Sequence, residues 1–152
     1  MKILMVCLGN ICRSPLAEGV MQHLVKENGL DWHIDSAGTG GWHSGENPDR
    51  RSIRTARKHG IDISQQVCRQ FSVDDFDAFD TILVMDTNNY RDVISLARDD
   101  RDGEKVRLLI IYQNIPDPYA EDNLFEPVFK LIEDGCKEFI HSLKDATILM
   151  NA

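Results

Sequence analysis

Cys7 and Arg13 are separated by five residues, in the run Cys7-Leu8-Gly9-Asn10-Ile11-Cys12-Arg13-Ser14-Pro15. A loop that joins a strand to a helix N-terminus directs several backbone N–H groups at one point, where the helix dipole adds positive potential. Such a loop suits a phosphate or another tetrahedral oxyanion, and the planar guanidinium of Arg13 can hold two of its oxygens. We therefore predict a phosphate-binding loop made of Leu8, Gly9, Asn10, Ile11, Cys12 and Arg13.

Cys7 lies at the base of this predicted loop and is the candidate nucleophile. The positive field that binds an anion also favours a thiolate over a thiol. A thiolate below a bound phosphoryl group can attack the phosphorus atom, and Ser14 can donate a hydrogen bond to the sulfur when it leaves. In the alternative interpretation, Cys7 is only a small buried hydrophobic residue and Arg13 a surface charge.

Asp117 is the candidate general acid, in a loop that also contains Pro116 and Pro118. Phosphoryl transfer from a phenol ester requires a proton for the leaving oxygen, and Asp117 can supply it and later take a proton from water. An Asp-Pro pair alone is common in turns, so the assignment depends on the phosphate-binding loop. Trp42 and Tyr119 are the candidate walls of a slot, because a phenyl ring stacks on aromatic faces.

Short apolar runs alternate with helical periodicity along the chain. We predict strands at 3–6, 32–37, 81–85 and 106–112, and helices at 14–28, 48–59, 88–97 and 125–143, with a charged turn at 98–105. This order predicts an α/β fold of three layers: a four-stranded parallel sheet with helices on both faces and the phosphate-binding loop after strand 1. Ligands in such sheets bind beyond the C-terminal strand ends, here just after Val6, Ala37, Met85 and Tyr112.

The composition restricts the class of protein. The 152 residues fit one domain, 1–152. Since 17 basic and 25 acidic residues give a net charge of −8, we expect no nucleic-acid partner. No apolar run has the length of a membrane span, and the apolar start at 3–8 has no cleavage signal, so we expect no membrane partner. Four cysteines without a C-x2-C pair indicate reduced thiols in the cytoplasm and no metal site.

The segment from Val6 to Glu18 resembles the signature of the low-molecular-weight protein tyrosine phosphatases. Further segments are similar to the family in the same order: Asp35-Ser36-Ala37-Gly38-Thr39, Trp42-His43, Gly60-Ile61-Asp62-Ile63-Ser64, Leu83-Val84-Met85-Asp86 and Asp117-Pro118-Tyr119. The resemblance implies hydrolysis of phosphotyrosine in protein substrates, and of small aryl phosphates, through a cysteinyl-phosphate. It implies no cofactor and no metal, and catalytic roles for Cys7, Arg13, Ser14 and Asp117.

The resemblance also implies roles for residues around the loop. Asn10, Ser14 and Ser36 match a polar network that holds the loop in shape, and Cys12 matches a cysteine that forms a reversible disulfide with Cys7 under oxidation. Asp86 can orient Arg13 or the loop, or it can cap the helix that follows. Two positions depart from the family pattern: Gln66, where many members have His, and Ala120, where an aromatic residue or Gly is common.

Alternative functions remain open at this point. Arsenate reduction uses the same loop with an added pair of cysteines, for which Cys68 has no partner nearby in the sequence. Phosphoarginine hydrolysis is associated with Thr at the position of Ile11. A non-catalytic phosphate-binding module would lack the nucleophile, the arginine or the acid.

The family resemblance implies a monomer with weak self-association. A basic run is interpreted as a solvated helix face or as a docking surface for acidic residues: Arg50, Arg51, Arg54, Arg57 and Lys58.

Overall fold

A four-stranded parallel sheet forms the centre of the computed structural model, which describes residues 1–151 apart from the side chains of 148, 149 and 151. The strands are β1 (Lys2–Cys7), β2 (His33–Gly38), β3 (Thr81–Val84) and β4 (Val106–Leu108), in the spatial order β2-β1-β3-β4. Strand β1 pairs with β2 on one side and β3 on the other. Its continuous apolar run fits this central place, because both faces of the strand are covered.

Within residues 1–151, six α-helices surround the sheet: α1 (Arg13–Glu27), α2 (Arg50–Lys58), α3 (Asp75–Ala78), α4 (Thr87–Ile94), α5 (Asp100–Glu104) and α6 (Phe125–Asn151). A 3-10 turn at Asp122–Leu124 leads into α6. Helix α1 ends before Gly29, which takes the left-handed backbone conformation (φ 63°) that commonly ends a helix. No helix in residues 1–151 has the length and apolar character to cross a membrane.

Two hydrophobic clusters lie on opposite faces of the sheet. Side chains alternate along a strand, so Ile3 and Met5 pack with α1 and α6, whereas Leu4 and Val6 pack with α3 and α4. The predicted α/β architecture of three layers is therefore confirmed. Cys7 belongs to the first cluster, so the candidate nucleophile stands where the buried strand passes into the loop before α1.

One predicted strand boundary is wrong, and two short helices were not predicted. The fourth strand ends at Leu108 and not at residue 112, and Tyr112 is 94% exposed, because the apolar run continues into a loop that leaves the sheet. The charged turn at 98–105 contains α5, which Asp99 caps by accepting a hydrogen bond from the backbone N–H of Asp102. Helix α3 was not predicted, because four residues are too few for a helical period to be visible.

Candidate active site

A cavity of about 220 Å³ opens where the predicted phosphate-binding loop joins β1 to α1. It collects side chains from distant parts of the chain: Cys7, Leu8, Gly9, Ile11, Cys12, Arg13, Trp42, His43, Asp117 and Tyr119. The predicted nucleophile, arginine, acid and slot walls thus line one space. Four other predicted site residues lie behind this lining: Asn10, Ser14, Ser36 and Asp86.

The backbone of the loop turns its carbonyl groups outward. The carbonyls of Cys7, Leu8 and Ile11 accept hydrogen bonds from Thr39 N at 2.9 Å, Gly40 N at 2.8 Å and Asp49 N at 2.8 Å. Among residues 1–151, no group accepts a hydrogen bond from the backbone N–H groups of 8–12. With the carbonyls paired on the outside and these N–H groups unpaired, the loop has the donors that a tetrahedral oxyanion requires.

Two positions in and beside the loop require an unusual backbone. Asn10 has a φ of 58°, the left-handed region that Asn tolerates better than most residues. A Cβ added to Gly38 would lie 2.8 Å from the carbonyl oxygen of Leu8 and 2.9 Å from the backbone nitrogen of Asn10. The end of β2 therefore presses directly against the loop and leaves no room for a side chain.

A chain of side-chain hydrogen bonds joins Asn10 to Cys7. The Asn10 amide nitrogen donates to Ser14 Oγ at 2.8 Å and to Ser36 Oγ at 3.0 Å, and its oxygen accepts from the backbone N–H of Arg69 at 2.9 Å. Ser14 Oγ lies 3.1 Å from Cys7 Sγ. Ser14 Oγ also lies 3.3 Å from the carbonyl oxygen of Ala37, so the single proton of the hydroxyl group has two acceptors within reach, this carbonyl and the sulfur of Cys7.

Arg13 is buried and fixed in direction by two acceptors. Its Nη1 donates to Asp86 Oδ2 at 2.6 Å and to the carbonyl oxygen of Ile115 at 2.9 Å, and its Nη2 lies 3.9 Å from Asp117 Oδ2. Asp86 both orients Arg13 and caps the helix that follows. Its Oδ1 accepts a hydrogen bond from the backbone N–H of Asn89 at 2.8 Å at the start of α4. The guanidinium is thus held at the cavity with little freedom to move.

Asp117 lies at the mouth of the cavity, with its side chain 46% exposed. Its Oδ1 accepts a hydrogen bond from the backbone N–H of Tyr119 at 3.0 Å, which holds the carboxyl group in a local turn. The other oxygen, Oδ2, is the one closest to Arg13. This oxygen is therefore placed to exchange a proton with a group that enters the cavity.

The predicted slot walls are exposed aromatic side chains. Trp42 is 72% exposed and Tyr119 is 55% exposed, and both border the cavity. The guanidinium of Arg51 lies 5.4 Å from the Tyr119 ring and forms ion pairs with Asp49 at 2.9 Å and Asp122 at 2.7 Å. This member of the basic run therefore supports a wall of the cavity. The other basic run arginines, Arg50, Arg54 and Arg57, are exposed.

Two further thiols lie beside the loop. Burial, with added repulsion from Asp49, raises the pKa of Cys12 far above its ordinary value. Burial also raises the pKa of Cys68 to about 11, and its thiol donates to the carbonyl oxygen of Asn10 at 2.8 Å. Both groups are therefore thiols at neutral pH, and all four cysteines of the chain are free.

His43 and Glu18 were not assigned a role from the sequence. A Cβ added to Gly9 would lie 3.2 Å from His43 Cδ2, and His43 Nδ1 lies 2.9 Å from Glu46 Oε2. Only the fold brings His43 to the loop, so no local spacing could reveal it.

Gln66, which departs from the family pattern, donates from its amide to the carbonyl oxygen of Pro15 at 3.1 Å and so contacts α1.

Comparison with known proteins agrees with this geometry. Residues 2–148 match the family model of the low molecular weight phosphotyrosine protein phosphatases. The low molecular weight protein-tyrosine-phosphatase YfkJ of Bacillus subtilis is 40% identical over 149 residues, covering 93% of this chain and 95% of YfkJ.

Solved structures give the same result. The protein tyrosine phosphatase of Entamoeba histolytica superposes with a TM-score of 0.90 at 33% identity, covering 97% of this chain and 99% of the other. The Drosophila arginine phosphatase DARP superposes with a TM-score of 0.89 at 34% identity, covering 95% and 98%. The chain therefore belongs to the low-molecular-weight phosphotyrosine protein phosphatase family.

Proposed function

We propose that the chain is a protein tyrosine phosphatase that hydrolyses phosphotyrosine through a cysteinyl-phosphate intermediate. The observation that carries this proposal is the single cavity in which Cys7, Arg13 and Asp117 line a loop whose N–H groups at 8–12 are unpaired. The phosphoryl group is bound by these N–H groups and by the guanidinium of Arg13. Its substrate is a phosphotyrosine-containing protein, and the residues named need no metal or cofactor for these steps.

In the first step, Cys7 attacks the phosphorus atom as a thiolate. The sulfur–phosphorus bond forms as the bond from phosphorus to the phenolic oxygen breaks, and Asp117 gives that oxygen its proton. The position of Asp117 at the mouth supports this role, because the leaving phenol lies on the side opposite the buried sulfur. Positioned proton transfer of this kind contributes about 10²–10⁴-fold in rate.

In the second step, water attacks the phosphorus atom of the cysteinyl-phosphate. Asp117, now a carboxylate, takes a proton from the water as the oxygen–phosphorus bond forms and the sulfur–phosphorus bond breaks. The electron pair returns to Cys7 Sγ, where the hydrogen bond from Ser14 at 3.1 Å stabilises the thiolate. The products are inorganic phosphate and the enzyme in its starting form.

The walls of the cavity support an aryl phosphate as the substrate. Trp42 and Tyr119 border the cavity with exposed aromatic side chains on which a phenyl ring can stack, and Ile11 adds an apolar surface to the lining. Phosphoarginine hydrolysis is the second candidate, because one similar structure is that of an arginine phosphatase. Arsenate reduction has less support, since it requires a closely spaced pair of relay cysteines and Cys68 has no cysteine partner nearby in the sequence.

We further propose that the chain works as one phosphatase domain and as a monomer that self-associates weakly. We expect a cytoplasmic, reducing location, because the mechanism requires a reduced Cys7.

Under oxidation by a peroxide, Cys7 would become a sulfenic acid, and Cys12 would then displace water from it to form a disulfide. The place of Cys7 and Cys12 in one cavity supports this reversible protection.

Hydrolysis of p-nitrophenyl phosphate from pH 4 to 8, with EDTA present, tests the proposed function. The reduced wild type should be active towards the acid side, and Cys7→Ser should lose turnover but still bind inorganic phosphate. Cys136→Ala, which removes a buried thiol of α6 that does not line the cavity, is the matched control and should remain active. An inactive wild type, or turnover by Cys7→Ser, would overturn the proposal.

Matched peptides distinguish the two candidate substrates. A phosphotyrosine peptide and a phosphoarginine peptide of otherwise identical sequence are compared by kcat/KM. We expect the phosphotyrosine peptide to be preferred. Preference for phosphoarginine would contradict the assigned substrate and leave the cysteine chemistry intact.

A further inference from the structure

The candidate acid, Asp117, lies on the loop of residues 109–124 that joins β4 to α6 (the acid loop). Before Asp117, this loop is fixed by Ile115, which is fully buried and whose carbonyl oxygen accepts a hydrogen bond from Arg13 at 2.9 Å. After Asp117, residues 119–123 are all exposed. This later part of the acid loop is therefore not held by burial, and side chains from elsewhere in the fold must support it.

Arg51 of α2 contacts this exposed part of the acid loop. Its Nη1 donates to Asp122 Oδ1 at 2.7 Å, and its guanidinium carbon lies 5.4 Å from the centre of the Tyr119 ring. The same carbon lies 4.5 Å from the centre of the ring of Phe125, the buried first residue of α6. Tyr119 in turn donates its backbone N–H to Asp117 Oδ1 at 3.0 Å. Arg51 therefore holds the acid loop at two points, one of which is bonded directly to the acid.

Asp49 fixes the direction of the Arg51 side chain. As the residue that caps α2, Asp49 accepts hydrogen bonds from the backbone N–H of Arg51 at 2.8 Å, from its Nε at 3.0 Å and from its Nη2 at 2.9 Å. A carboxylate that binds two nitrogen atoms of one guanidinium fixes its plane, and such a pair is stronger than a single surface ion pair. The remaining nitrogen, Nη1, is thereby directed at Asp122.

The start of α2 is itself bonded to the phosphate-binding loop. The backbone N–H of Asp49 donates to the carbonyl oxygen of Ile11 at 2.8 Å. The hydroxyl group of Ser52, which is fully buried, donates to the carbonyl oxygen of Cys12 at 3.2 Å. A series of contacts therefore runs from the phosphate-binding loop, through Asp49 and Arg51, to the acid loop.

We propose that Arg51 is a positioning residue for the general acid. It fixes the acid loop relative to the phosphate-binding loop, so that Asp117 stands where it can give its proton to the leaving oxygen. Proton transfer depends on such placement, because a displacement of about 1 Å can reduce a rate by about 10²-fold. This inference rests on the proposed function and adds to it a residue that does not line the cavity.

The variant Arg51→Met tests the inference, because methionine keeps an unbranched side chain but has neither the charge nor the N–H donors. We expect kcat/KM for phenyl phosphate to fall by about ten-fold, since the acid is displaced and not removed. The loss for p-nitrophenyl phosphate should be smaller, because its leaving group needs the proton less. Inhibition by inorganic phosphate should not change. Arg54→Met, which replaces an exposed arginine of the same helix, is the matched control and should show neither loss.

A double variant separates the positioning of the acid from any other role of Arg51. In an enzyme that already carries Asp117→Asn, the change Arg51→Met should cause no further loss beyond about two-fold, because the group that it positions is gone. A ten-fold loss that persists beside Asp117→Asn would overturn the inference. So would an equal loss for both aryl phosphates, or unchanged kinetics for Arg51→Met.

If Arg51→Met does not fold, Asp122→Ala takes its place in both comparisons. The Asp122 side chain is 87% exposed, so its removal leaves the core intact and breaks only one contact of Arg51. The loss for phenyl phosphate should then be about two-fold to five-fold, and it should disappear beside Asp117→Asn. No loss, or an equal loss for both substrates, would overturn the inference. Wild-type turnover that requires Cys7 tests the proposed function separately.

Discussion

The floor and the rim of the cavity are built in different ways. The floor consists of buried groups held by hydrogen bonds: Asn10, Ser14 and Cys7 contact one another in series, and Arg13 donates to Asp86 and to the Ile115 carbonyl. The rim consists of Trp42, Tyr119 and Asp117, which are exposed and held by few contacts.

This difference separates two tasks. A phosphoryl group has the same shape in every substrate, so the groups that bind it can be fixed in advance, and fixed dipoles cost no reorganisation during reaction. The remainder of a protein substrate varies, and an exposed aromatic rim can contact it without a fixed geometry. Substitutions of the floor groups that bind the phosphoryl group should therefore reduce binding and rate together, whereas substitution of the nucleophile Cys7, or of a rim residue, should affect one property at a time.

Asp117→Asn is expected to give the largest effect after loss of the nucleophile. The amide keeps the size of the side chain but cannot act as an acid, so kcat should fall by about 10²–10⁴-fold. The loss should be greater for phenyl phosphate than for p-nitrophenyl phosphate, because the poorer leaving group needs the proton more. Steady-state kinetics with a series of aryl phosphates measures this dependence, and an equal loss for all leaving groups would remove Asp117 from the acid role.

Arg13→Lys is expected to follow, with a loss of about 10²–10³-fold in kcat/KM. A lysine cannot hold two phosphate oxygens and reach Asp86 and the Ile115 carbonyl at the same time. Inhibition by inorganic phosphate should weaken in parallel. The surface variant Arg54→Lys is the matched control, and normal kinetics for Arg13→Lys would show that the guanidinium shape is not needed.

Gly38→Ala tests the floor through its backbone. The added Cβ would contact the Leu8 carbonyl and the Asn10 nitrogen at less than 3 Å, so the loop must shift. Overpacking of this kind costs about 1–3 kcal/mol in the free energy of unfolding. Chemical denaturation and phosphate affinity should both report the loss. Gly103→Ala, where the nearest atom would be 3.8 Å away, is the control, and equal stability of the two variants would contradict the described packing.

Trp42→Ala should have the smallest effect, confined to the substrate side. Loss of an aromatic contact of about 0.5–1.5 kcal/mol corresponds to a rise of about 2–10-fold in KM for a phosphotyrosine peptide. Phosphate inhibition should not change. Tyr112→Ala removes another exposed aromatic residue, one that does not border the cavity, and should leave KM as it is. A fall in phosphate affinity for Trp42→Ala would show that floor and rim are not separate.

The sequence was sufficient to predict which residues lie together when they are close to one another along the chain. The C-x5-R segment, its preceding strand and its following helix identified Cys7 and Arg13, and the alternation of strands and helices predicted the sheet. It was not sufficient for contacts that only the fold creates. The contacts of Gly38 with the loop, of His43 with Gly9 and of Glu18 with Ser36 join residues far apart in the chain, so no periodicity reveals them. The end of β4 was misplaced because an apolar run does not mark where a strand leaves its neighbour.

The central claim is that Cys7 accepts the phosphoryl group, and its most direct test is to trap the intermediate. The reduced enzyme is mixed with p-nitrophenyl phosphate, quenched with acid during the first turnover and digested, and the phosphorylated peptide is sequenced by mass spectrometry. The account predicts one phosphorylated site, on the sulfur of Cys7. A phosphoryl group on another residue, or rapid turnover without any phosphoenzyme, would contradict it.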